Sequence, residues 1–165
     1  MTRMALSKST LAEALARVLQ ASPTTAAEAA VQWANAYVNY AMASTSSAFS
    51  LPVNAAANFT ILLTGFQAGL AALMPVSAGA LVAQGVITFW QTITWAGPTA
   101  SGTTAFPGNA GLASTLAAIF TDLSRKTPQD KANELADAFD AGATTVIVVD
   151  VPFVQPAPPI VGPIQ

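Results

Sequence analysis

The one grouping of ionisable residues that could do chemistry lies late in the chain, where Asp130, Glu134 and Asp137 recur at i, i+4 and i+7 with Lys131 and Asp140 beside them. On a helix this spacing sets three carboxylates along one face, the hard oxygen donors that a divalent cation takes. Leu135, Ala136 and Phe139 supply the opposite, core-facing side, so the acids read as the solvated face of an amphipathic helix. Asp130, in the first turn, is also accounted for by the helix dipole. No metal site is assigned.

Hydrolysis by paired carboxylates needs two acids at one cleft, but Glu13 and Glu28 fall in separate helices where capping explains each. The chain has no histidine and no cysteine. That removes the commonest general base, thiolate nucleophiles and disulfides, and leaves the many serines and threonines without their usual activator. Neither phosphate-loop nor dinucleotide-binding glycine patterns occur. No catalytic residue and no cofactor is expected, and the chain reads as a non-enzyme. Six basic against eight acidic residues, with only Arg125-Lys126 clustered, argue against nucleic-acid binding. Asn58-Phe59-Thr60 matches the glycosylation pattern, but Met1 to Leu19 is amphipathic and does not read as a secretory signal, so the match is read as chance.

The surface is the unusual feature. Only 8% of residues are charged, against about 25% in an ordinary soluble domain. From Ala29 to Thr121 there is no charged residue at all.

The fold class expected is mainly α: six helices in a single domain, one short C-terminal strand and an extended Pro-rich tail. Residues 1-142 form the helical domain, 143-151 the strand and 152-165 the arm. Thr10 and Glu13 have capping-box spacing, which starts a first helix bearing Leu11, Leu15, Val18 and Leu19. Ser22-Pro23 reads as the N-cap and first residue of a second, on which Trp33, Tyr37 and Tyr40 make an aromatic stripe facing the core. Ser44 to Ala57 is a connector.

Two uncharged amphipathic helices follow. Asn58 to Met74 sets Phe59, Leu62, Phe66 and Leu70 against Thr60, Thr64 and Gln67. Ser77 to Trp95 sets Val82, Val86, Phe89 and Trp90 against Gln84, Thr88 and Gln91. Gly65 and Gly69 have the spacing that lets two helices approach closely. Ala96 to Asn109 reads as a loop, Ala110 to Leu123 and Pro128 to Ala141 as the last two helices. Thr127-Pro128 echoes Ser22-Pro23, so two similar hairpins flank a central uncharged pair.

Val146 to Val151 reads as a buried strand that must find a partner in this chain or a neighbour. Pro156, Pro158, Pro159 and Pro163 keep the following segment extended and out of any interior strand. Its apolar residues make it an arm along another surface. The candidate intersubunit contacts are therefore Val146, Val148, Val151, Phe153, Val154, Ile160, Val161 and Ile164.

Two explanations account for the missing charge. Either the two central helices cross a bilayer, or their polar faces meet protein. The segments are short for a membrane and lack flanking Lys or Arg, while Gln and Thr on one face suit a protein partner. The protein explanation also covers the strand and the arm.

The end of the chain adds a resemblance. Lys131-Ala-Asn-Glu-Leu-Ala-Asp-Ala-Phe-Asp140, then Thr144 to Val151 and a close in Gly162-Pro163-Ile164-Gln165, resembles small structural proteins of tailed-bacteriophage virions. In these an Ala-rich helix leads into a Thr/Val strand. The resemblance spans residues 131 to 165, about a fifth of the chain. It implies a repeated building block of a capsid, neck or tail, located in the virion, with copies of itself and other virion structural proteins as partners. The alternative is a small integral membrane protein with helices at about 58-74 and 77-95.

Overall fold

A computed structural model describes residues 7–44, 52, 54–96, 101–105, 109–124, 126–150 and 161–163. Among them the fold is mainly helical: α1 (Lys8–Ala21), α2 (Ala26–Met42), α3 (Phe59–Leu70), α4 (Pro75–Thr92), α5 (Asn109–Thr121) and α6 (Pro128–Ala143). Each helix packs on the next and α6 returns to α1, which closes a ring. Successive helices run in opposite directions. Gly79 near the start of α4 lies beside Ala117 near the end of α5, and Asn58 ahead of α3 bonds Thr92 at the end of α4.

Capping decides where the first two helices begin, and it differs from the sequence expectation. Ser7, not Thr10, caps α1, its hydroxyl accepting the Thr10 amide at 3.3 Å. Ser22 ends α1 with φ 49°, and Pro23 cannot continue the helix. The N-cap of α2 is instead Thr25, which accepts from the Glu28 amide at 3.1 Å while the Glu28 carboxylate reaches back to Thr24. Thr25 wins because it stands three residues before a glutamate, and Ser22 does not. Thr127 and Pro128 do start α6, with Asp130 completing a capping box. The echo between the two Pro sites therefore does not extend to structure.

Tyr37 of α2 stands at the centre of the ring. Phe66 of α3, Phe89 of α4 and Phe139 of α6 meet it edge to face at 5.2 to 6.3 Å between centroids, and the Trp90 indole N–H donates to its hydroxyl at 2.8 Å. One side chain thus links four helices, with the edge-on geometry that aromatic quadrupoles favour. The stripe of Trp33, Tyr37 and Tyr40 is buried, as expected of a core face.

Helix α4 is held on both sides by contacts that only glycine permits. A Cβ on Gly65 would lie 2.5 Å from the Cα of Gly85, and one on Gly79 would lie 2.5 Å from the Ala117 amide nitrogen. A Cβ on Gly69 would collide with Val82 at 2.4 Å. Backbones of α3, α4 and α5 therefore pack nearly in contact at Gly65 and Gly79, and the Val82 side chain fills the space that Gly69 leaves.

One end of the ring carries a sheet of four antiparallel strands in the order β1 (Thr94–Ala96), β2 (Ser101–Ala105), β3 (Ile147–Asp150) and β4 (Val161–Pro163). The expected strand is β3, and its partners come from its own chain: Val149 pairs with Thr103 on one side and Val161 on the other. Part of the expected 96–109 loop is the β1–β2 hairpin. Ser101-Gly-Thr-Thr-Ala carries no apolar alternation, and its extension follows from pairing with the valine-rich β3. In the tail, β4 occupies a sheet edge, the place in a sheet where a proline such as Pro163 is tolerated.

At the opposite end, in the α3–α4 turn and the first turn of α4, Leu73 is 100% exposed and Met74 and Val76 each 64%.

The glycine contacts have a direct test in urea denaturation. Gly65→Ala and Gly79→Ala are each expected to lose about 1–3 kcal/mol by overpacking. Gly111→Ala, whose added Cβ meets nothing within 4 Å, should be neutral or gain up to ~1 kcal/mol from helix propensity.

Candidate functional site

The acidic stripe of α6 resolves into four separate structural devices. Asp130 accepts the Thr127 hydroxyl at 2.7 Å and the Thr127 amide at 3.3 Å, and the first of these holds its carboxyl below the usual range. Glu134 pairs with Lys126 and, at 3.7 Å, with Lys131. Asp137 meets Lys8 of α1 at 2.7 Å. Asp140 accepts the buried Tyr40 hydroxyl at 2.6 Å. Among the described residues no three potential ligands converge on one point.

Two lysines close the α5–α6 turn. Lys131 donates to the Ile119 and Asp122 carbonyls, closing the C-terminus of α5. Lys126 also binds Asp122 at 2.6 Å; that hydrogen bond, with help from Ser124, holds the Asp122 carboxyl well below its ordinary value.

Charge is thus confined to one side of the ring. The described charged residues of the ring lie on α1, in the first turn of α2, in the α5–α6 turn and on α6. Because α6 closes on α1, these elements are neighbours. The opposite side, α3 to α5, presents only uncharged residues.

On this side a groove of about 470 Å³ lies between α3 and α4. The Gly65–Gly85 crossing is its floor. Thr60, Thr64 and Ala68 form one wall, and Leu81, Gln84 and Thr88 the other. Leu81 is 40% exposed. Wall residues bond within their own helices: the Thr64 hydroxyl donates to the Thr60 carbonyl at 2.9 Å, and the Gln84 amide to the Thr88 hydroxyl at 3.1 Å. On α5, Ser114 and Thr115 both donate to the Gly111 carbonyl, at 3.0 and 2.9 Å.

A second groove, of about 570 Å³, separates α5 from α6, with Leu112 and Ile119 facing Ala138 and the already paired Glu134 and Asp137. A third, of about 410 Å³, lies between α1 and α2 and includes Arg17, Gln32 and Asn39.

Of the candidate intersubunit contacts, Val146 is fully buried among the core residues of its own chain. That side chain has no surface to offer a neighbour. Val148 lies in β3, registered between Thr104 and Gly162, and Val161 lies in β4 opposite Val149. The backbone of β3 is therefore already paired on both edges. Val151, Phe153, Val154, Ile160 and Ile164 lie outside the described residues. The α3–α4 groove was not singled out from sequence. Gly65 and Gly69 signalled a close approach, but their partners Gly85 and Val82 become visible only once the two helices are placed side by side.

Comparison with known protein families, with curated proteins and with solved structures finds no match.

Burial pushes the Tyr37 and Tyr40 hydroxyls above the ordinary phenol value. A raised phenol contributes stability below about pH 10 and loses it as pH rises beyond that. The lowered carboxyls of Asp122 and Asp130 act in the other direction: their contribution is complete above about pH 4 and is lost as pH falls through their depressed values. Urea midpoints should therefore hold level between about pH 5 and 9 and decline on both sides. Tyr40→Phe should lower the plateau by about 1–2 kcal/mol, since Asp140 loses its donor, and should flatten the alkaline decline. An unchanged alkaline limb would show that the buried phenol does not drive it.

Proposed function

We propose that this chain is a non-enzymatic structural subunit of a large symmetric assembly. The observation that carries the reading is the separation of charge: ion pairs gathered on the α1–α6 side, and a side built from α3, α4 and α5 with none. A surface left to water normally carries charge, and charge depletion is the compositional mark of an interface core. The hydroxyls that fold back on their own helices fit this use, because a polar group bonded within the chain can be covered without loss of a hydrogen bond.

The resemblance of residues 131 to 165 to tailed-phage structural proteins narrows the assembly to a virion component of capsid, neck or tail. Its partners are then copies of itself and other virion structural proteins, with no part for nucleic acid. Among the described residues no helix is long and apolar enough to cross a membrane, so nothing favours the bilayer reading of α3 and α4.

Quantitative mass spectrometry of purified native particles tests the proposal. The chain should co-purify with other structural proteins at a fixed copy ratio through a high-salt wash. Recovery only in a membrane pellet, or only as free protein, would contradict it.

A further inference from the structure

We propose that residues 1–6 of this chain seat in the groove between α5 and α6 of the same chain, with Met4 and Leu6 over its apolar floor and Arg3 at its acidic rim. These residues lie outside the described ones. The contact is internal to one chain and does not depend on the assembly reading.

The tether delivers the segment to the groove. Ser7 caps α1, and Lys8, the first residue of that helix, meets Asp137 at 2.7 Å. Asp137 is itself part of the groove's rim. Residues 1–6 therefore leave the helical ring at the groove's edge. Six extended residues reach ~20 Å, against ~9 Å between the axes of neighbouring helices. Ala141, exposed and four residues beyond Asp137 on α6, puts no large side chain in the way of the crossing.

Charge selects this segment over others. The C-terminal half of α6 joins Asp137 and Asp140 to the negative end of the helix dipole, with no basic residue in its last turn. Among the described residues Lys8 is the cation paired there, and both carboxylates act on its ammonium, Asp137 the more strongly. Asp140 is bound by the neutral Tyr40 hydroxyl at 2.6 Å. One negative charge is left uncompensated, and Arg3, five residues before Lys8, is the next cation along the chain. Residues 151–160, which join β3 to β4, carry no charge with which to meet it.

The groove suits the rest of the segment. Its volume of about 570 Å³ has room for several side chains, over a floor that includes Leu112, Ile119 and Ala138 and beneath a rim that includes Glu134 and Asp137. Alternate side chains of an extended segment point to opposite sides, which sets Met4 and Leu6 toward the floor and Arg3 toward the rim. An exposed ion pair is weak by itself. Apolar burial and the short tether add what it lacks.

The absence of native cysteine makes paired-cysteine crosslinking clean. Ala5→Cys with Thr115→Cys, in the groove, should be closed by a short bis-maleimide in dilute protein to a crosslinked monomer. This should run at least ~10-fold faster than for Ala5→Cys with Asn39→Cys, which lines the α1–α2 groove with Thr10 on the other flank of α1. Thr115 and Asn39 are both exposed, so the helical circular dichroism should be retained. Adding Arg3→Glu to the first pair should slow closure by ~5-fold or more, and Arg3→Lys by less than ~2-fold, because the rim selects for positive charge. Equal rates for the two pairs, or a rate that Arg3→Glu leaves unmoved, would overturn the assignment. So would a product of dimer mass, which makes a neighbouring copy the source of the segment, or faster closure from Phe153→Cys than from Ala5→Cys, which makes residues 151–160 the occupant.

Discussion

The close packing of α4 between α3 and α5 is the constraint from which the rest of the molecule follows. Gly65 against Gly85 and Gly79 against the Ala117 backbone bring three backbones together, and Gly69 leaves room for the Val82 side chain. Such crossings admit only small residues where the helices meet, and the outer face of the same three helices carries no charge. The large side chains are displaced toward the centre, where Phe66, Phe89 and Trp90 surround Tyr37. Helices α1 and α6 then complete the ring with the charges that α3 to α5 lack.

This division explains why the ionisable residues look like a site in the sequence and are not one in the fold. Asp130 caps, Glu134 and Asp137 pair with Lys126 and Lys8, and Asp140 holds a buried phenol. Asp130 fixes the start of a helix, Glu134 braces the α5–α6 turn, and the other two join distant segments. Lys8 to Asp137 joins α1 to α6, and Tyr40 to Asp140 joins α2 to α6. Together they close the ring.

Much of this architecture is legible in the sequence, because amphipathic period and aromatic spacing are local. The six helices, the buried Trp33-Tyr37-Tyr40 stripe and the strand at Val148 follow from residues within a turn or two of each other. Caps were harder. Ser22-Pro23 and Thr25-x-x-Glu28 compete within a few residues, and the competition is settled by the left-handed turn at Ser22. The β1–β2 hairpin was hidden because Ser101 to Ala105 owes its extension to β3, far along the chain. The groove was hidden for a similar reason: a glycine signals that something comes close, but not what. Val146 shows the converse error, since an apolar strand residue suits a neighbour's surface and its own core equally well until burial is known.

The central claim is that the charge-free side of the ring is made to be covered by protein. Its most direct test is the mass of the wild-type chain by sedimentation equilibrium, followed from ~50 mM to ~1 M salt, across which the screening length falls severalfold. A contact without charges should hold or tighten over that range, because salt screens nothing in it. A chain that remains monomeric throughout, or an oligomer that falls apart as salt rises, would place the contact on the charged α1–α6 side or nowhere, and would contradict the account.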